Sequence, residues 1–122
     1  MMVRGVRAAA TVSANDATEI KQITLDMIQQ IVNENDMDPA DIASVWITVT
    51  DDLDAAFPAQ PIRQLPGWEL VPIMCALEIP VKGSLEKCIR VMVHWNTNKT
   101  QAEIKHIYLG GARALRPDLV QK

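Results

Sequence analysis

Residues 87–95, KCIRVMVHW, alternate with a period of two, so Ile89, Val91, Val93 and Trp95 share one face of a strand. Cys88, Arg90, Met92 and His94 occupy the other. A strand with one wet face would carry Thr, Lys, Glu and Ser at those positions. A thiol, a thioether and an imidazole instead predict a strand covered on both sides, with Arg90 on the covered face. Strand patterns also run over residues 2–12, where Gly5, Ala8, Ala9 and Ala10 keep one stretch small, and over the β-branched residues 45–50. Two more span 70–81, before a turn at Lys82-Gly83, and 104–109. The period changes to that of a helix at Ile20, Ile23, Met27, Ile28, Ile31 and Val32. Asp16 as N-cap and Glu19 three residues later place the helix over 17–34, with a capping box at its start. Asp38-Pro39 opens a short turn or helical fragment, Thr100-Gln101-Ala102-Glu103 is a second capping box after a loop over 96–100, and Gly110-Gly111 breaks regular structure.

These elements make an α+β fold: a mixed five-stranded sheet, one long helix and some short ones. A chain of 122 residues is the size of one domain, and 1–122 is read as one. One helix covers one face of a sheet, yet several strands are apolar on both faces. The second face is therefore expected to be covered by another copy of the chain.

Charge and composition narrow the function. The formal charge is −3, with no stripe of Lys and Arg, which argues against a nucleic-acid partner. No apolar run approaches the roughly 20 residues of a membrane span, and the N-terminus lacks the apolar stretch of a signal peptide. Two cysteines, Cys75 and Cys88, are too few for a disulfide scaffold and lack CxxC spacing. A soluble cytoplasmic protein with free thiols is the expectation. Asp51, Asp52 and Asp54 lack the glycine and glutamate of a calcium loop, so no metal is expected. They come ahead of Ala55-Ala56-Phe57, and their expected role is negative charge at a helix N-terminus. His94 and His106 do not stand at metal-ligand spacing with each other or with a cysteine.

No phosphate-binding glycine loop or nucleophile elbow is present. What remains is a set of charged residues in apolar settings: Arg7 and Arg90 within strands, Arg63 and Arg116 beside prolines, and Glu78 inside CALEIPV. Tyr108, the only tyrosine, lies mid-strand. Arg7 or Arg90 paired with Glu78 is one account. Three or four arginines against one embedded carboxylate still leave positive charge over, and an anionic ligand with more than one carboxylate would satisfy it.

The segments MVRGVRAAATV, DLDAAFPAQPIRQL, KCIRVMVHWNT, IKHIYL and LRPDL together resemble the monofunctional chorismate mutases of the AroH class, over nearly the whole chain. The resemblance implies a homotrimer with a pseudo-α/β-barrel arrangement, active sites between subunits, and rearrangement of chorismate to prephenate without any cofactor. It implies that Arg90 meets the substrate's ether oxygen and a carboxylate, Arg7 a carboxylate, and Tyr108 the side-chain carboxylate. Glu78 would accept the ring hydroxyl's hydrogen bond, with Cys75 contributing from the same segment. Phe57, Arg63 and Met74 would line the cleft from the neighbouring subunit, and Leu115 and Arg116 would close over it. Ala8 stands where the family more often has glycine. Two rival readings are a trimeric imine-deaminase-like or small-molecule-binding protein, and an interaction domain whose arginines pair internally.

Overall fold

The computed structural model describes residues 1–116; the Pro117, Asp118 and Leu119 of the closing motif lie outside them. Strands β1 (Met2–Thr11), β2 (Ile42–Val49), β3 (Ile73–Leu77), β4 (Cys88–Thr97) and β5 (Ile107–Leu109) form one sheet in the order β3-β2-β4-β1-β5. The long central strand β4 runs antiparallel to β1 and β2, while β1–β5 and β2–β3 are parallel, so the sheet is mixed as expected. Helix α1 (Ala17–Asn35) covers one face. Its Ile20, Met27, Ile28 and Ile31 are fully buried in one core with Val6, Ala8 and Ala10 of β1, Val45 and Ile47 of β2, and Ile89, Val91 and Val93 of β4. Each Ile, Val or Met side chain among them contributes about 1.5–3 kcal/mol through burial. The two-residue period of the strands is thereby accounted for on this side.

The Asp16 side chain accepts the Glu19 N–H at 2.9 Å, capping α1. The reciprocal half of the expected box goes elsewhere: the Glu19 carboxylate accepts from the N–H and hydroxyl of Ser13. The box at Thr100 and Glu103 is complete, and it caps a single 3₁₀ turn, Gln101–Glu103.

Two strands are shorter than the apolar pattern suggests. β3 spans five residues because Pro72 and Pro80, which have no N–H to donate, bracket it. β5 starts at Ile107 because the Lys105 N–H donates to Asn35 Oδ1 at 2.9 Å and its C=O accepts from Asn35 Nδ2 at 2.9 Å. A buried side chain at the end of α1 thus replaces the strand ladder there. Gly110-Gly111 ends β5 at Leu109 as expected and opens a 3₁₀ turn, Gly110–Ala114, with the Gly111 N–H donating to Thr11 Oγ1 at 2.8 Å.

No helix starts directly after the acids; the next helical element is the 3₁₀ turn Ile62–Gln64. Asp52 instead accepts from the Thr50 hydroxyl and the Lys87 N–H, and Asp54 accepts from Asn15 Nδ2 at 2.6 Å. The acids tie loops together. Short polar side chains next to a strand end bond locally to backbone and hydroxyl groups, which competes with helix formation.

Candidate active site

The face of the sheet away from α1 carries two rows of side chains, read directly from the strand register. One row runs Ala76, Thr48, Arg90, Ala9, Tyr108 across β3, β2, β4, β1 and β5. The adjacent row runs Met74, Trp46, Met92, Arg7. Arg7 and Arg90, distant in sequence, share a concavity of about 330 Å³ with Trp46, Thr48, Val91 and Met92. The alternation that set Arg90 apart in the sequence therefore puts it beside Arg7.

Glu78 follows the end of β3, and its N–H donates to the Val49 carbonyl at 2.9 Å, extending the pairing by one residue. Its Oε2 accepts from Thr48 Oγ1 at 2.8 Å and lies 3.6 Å from Arg90 Nε. The internal ion pair is thus present between Glu78 and Arg90. It leaves Arg7 without a carboxylate partner among the described residues, so positive charge remains over. Arg90 also remains incompletely satisfied: its Nε is buried and makes no hydrogen bond in the described structure.

Tyr108 is in the same condition. The ring is buried in a small cluster with Ala9, Cys88 and Ala112, against which Leu85 and Leu115 pack, and its hydroxyl is buried with no hydrogen-bond partner. Buried polar atoms are almost always paired, and leaving one unpaired costs about 1–3 kcal/mol. Two such donors flank Ala9 on one face. Burial pushes the Cys88 thiol up from its ordinary pKa, with Arg90 opposing, so Cys88 acts there as a small neutral group. Arg116 is exposed, and its charge reaches His106.

A second concavity, of about 530 Å³, is lined by Phe57, Ala59, Gln60, Arg63, Ile73 and Cys75. Phe57 is 78% exposed, unusual for the only phenylalanine of the chain. Burial raises the Cys75 pKa; an Ala59 backbone hydrogen bond and the Arg63 charge act against it.

Within one chain the structure separates the residues of the β3 segment. Cys75 pairs with Ile47 of the helix-side face, whereas Met74 pairs with Trp46 of the opposite face, from which Glu78 meets Thr48. Successive strand residues point to opposite faces, so Cys75 lies on the face opposite to the one from which Glu78 meets Thr48. It joins Phe57 and Arg63. Met74 is not among the residues lining that concavity; it lies, 59% exposed, beside Trp46. Within one chain the expected residues therefore divide into two sets. Arg7, Arg90, Glu78, Tyr108 and Leu115 belong to the open face, and Phe57, Arg63 and Cys75 to the other concavity.

Sequence reasoning missed Thr48 and His106. Thr48 was visible as a polar residue beside Trp46 on β2, but its hydrogen bond to Glu78 crosses 30 residues of sequence. His106 carried no local signal; its Nδ1 accepts the Arg7 N–H at 2.9 Å across 99 residues.

Comparison with known proteins bears on what this arrangement does. The chorismate mutase type I family profile matches residues 3–119. The chain is 44% identical over 119 residues to a Bacillus subtilis protein named chorismate mutase AroH, covering 98% of this chain and 94% of that one. It is 43% identical over 119 residues to a Thermus thermophilus protein of the same name, covering 97% of each. A solved chorismate mutase from Clostridium thermocellum superposes with a TM-score of 0.87 at 49% identity, covering 91% of this chain and 98% of that one.

Proposed function

The chain belongs to the type I chorismate mutases, isomerases that convert chorismate to prephenate in aromatic amino acid biosynthesis, and on that premise we propose how its residues divide the work. The open-face set of one copy and the Phe57–Arg63–Cys75 set of a neighbour join into one site. Three copies close the ring, each interface holding one site. The exposure of Trp46, Met74, Leu77, Ile79 and Val81 supports this, because apolar surface of that extent on a small chain favours association. Among the described residues no helix is long and apolar enough to cross a membrane.

The reaction is unimolecular. One C–O bond breaks and one C–C bond forms within the same molecule, with no nucleophile, proton transfer or cofactor required. Two contributions are open to the protein. The first is to hold the enolpyruvyl group over the ring in a near-attack geometry. Arg7 and Tyr108 take carboxylates, Glu78 accepts the ring hydroxyl's hydrogen bond, and Phe57, Met74, Cys75 and Leu115 form walls. Arg63 and Arg116 add cationic closure to the cleft.

The second contribution is electrostatic. Breaking the C–O bond leaves negative charge on the ether oxygen, and a fixed cation there stabilises the transition state more than the ground state. Arg90 is that cation. The observation that carries the assignment is that the Arg90 side chain, 41% exposed, lines the concavity it shares with Arg7 while Glu78 lies near enough to hold the guanidinium in place. Glu78 orients Arg90 in the free enzyme, and substrate completes the bonding.

Loss of chorismate absorbance with purified wild type and Arg90→Ala side by side tests this reading. Turnover by the wild type with a drop of several orders of magnitude in a folded mutant is expected. Equal rates would remove Arg90 from the chemistry.

A further inference from the structure

Arg7 projects from β1 at the point where that strand loses its parallel neighbour. The β1–β5 ladder pairs Ala8 with Ile107, Ala9 with Tyr108 and Ala10 with Leu109, and goes no further toward the start of β1. The Arg7 N–H, on the β5 side, donates instead to His106 Nδ1 at 2.9 Å. An imidazole nitrogen accepts only when it carries no proton, so this contact requires neutral His106 with its proton on Nε2.

The surroundings favour that form. Burial, then the charges of Arg7 and Arg116, push the His106 pKa below its ordinary value. Lys105 precedes it on its own segment, with its backbone bonded on both sides to Asn35 of α1. A continuous path thus runs from the end of α1 through Lys105 and His106 to the backbone of Arg7.

We infer that His106 is a positioning residue for the mutase site: its neutral imidazole replaces the missing rung between β1 and β5 and fixes the backbone from which the Arg7 guanidinium reaches substrate. The inference rests on Arg7 binding a substrate carboxylate. It explains how two groups on different strands, Arg7 and Tyr108, keep a set spacing although β5 is only three residues long. A carboxylate clamp binds ground state and transition state alike, so loosening it raises KM more than it lowers kcat.

Steady-state kinetics of wild type, His106→Leu and His106→Asn at neutral pH test this, together with hydrogen exchange of the Arg7 amide. His106→Leu removes the acceptor and should raise KM roughly three- to tenfold, the worth of one hydrogen bond, with kcat within about twofold. Asn offers an acceptor oxygen and should recover most of that loss. The Arg7 amide should exchange slowly in the wild type and faster in His106→Leu, with Val6 and Ala8 unchanged. An unaltered KM in folded His106→Leu, or a His106→Asn enzyme as impaired as the leucine variant, overturns the inference. So does a wild-type Arg7 amide that exchanges freely, a result readable even if His106→Leu does not fold. Exchange is independent of turnover, so a wild type inactive on chorismate would instead strike at the reaction and at Arg7's role in it.

Discussion

Arg90 Nε lies 3.6 Å from Glu78 Oε2, close enough for charge attraction and too far for a hydrogen bond. Glu78 is meanwhile held by Thr48 Oγ1 at 2.8 Å. The guanidinium is thus oriented while part of it stays exposed toward the concavity shared with Arg7. Arg90→Ala is expected to lower kcat at least a hundred- to thousandfold, about 3–4 kcal/mol of transition-state stabilisation. Arg90→Lys should recover little, since an ammonium on a flexible stem does not reproduce a fixed planar fork. Stopped-flow or steady-state loss of chorismate measures both, with circular dichroism to confirm folding.

Thr48 acts one step further out. Removing its hydroxyl in Thr48→Val keeps the shape of the side chain but frees Glu78. The expected effect is a roughly two- to tenfold fall in kcat/KM, the worth of a single hydrogen bond, with stability nearly unchanged. A loss as large as that of Arg90→Ala would mean that Thr48 meets the substrate itself.

The division of the site between two faces of the chain has a consequence for mixtures. Arg90→Ala damages the open-face set, and a folded variant at Phe57 and Arg63 damages the other. When the two inactive proteins are mixed and allowed to exchange subunits, some interfaces unite two intact sets. In randomly assembled trimers that fraction is about a quarter, so activity should reappear on mixing. A site contained in one chain would show no recovery.

Acid should weaken the fold through His106. Its folded-state pKa is lowered by burial and by the Arg7 and Arg116 charges. The unfolded chain therefore takes up the proton first as pH falls below the ordinary value of 6.5. The stability contributed by neutral His106 is present above that value and is lost as pH falls through the folded-state pKa. Denaturant midpoints between pH 7.5 and 5 should decline for the wild type and less steeply for His106→Leu.

Among the described residues Asn35 is a buried polar side chain with three side-chain hydrogen bonds to backbone. It is fully buried, donates to the Ile31 and Lys105 carbonyls, and accepts the Lys105 N–H. Asn35→Ala leaves the Lys105 groups unpaired and should cost about 2–4 kcal/mol. Urea denaturation would register it as a lower midpoint with an unchanged slope.

Much of this architecture was written in local patterns. The alternation along 87–95 specified β4 and both of its faces, and the 3.6-residue spacing from Ile20 to Val32 specified α1, because periodic burial is a property of neighbouring residues. The same alternation set Arg90 apart as a guanidinium among apolar neighbours on the face away from α1. The resemblance carried by its motifs led to the family that the comparisons bear out.

Tertiary structure decided which of these residues meet. Sheet order brings Arg7, Thr48, Arg90 and Tyr108 onto one surface from four strands, and no local pattern encodes that order. Nearness along the chain suggested that Cys75 and Glu78 act together, yet the pleat turns them to opposite faces. The Asn35–Lys105 and Arg7–His106 contacts bridge 70 and 99 residues. Such pairings arise only once the hydrophobic faces have packed, because burial leaves each backbone donor in need of an acceptor and the fold alone determines which one lies within reach.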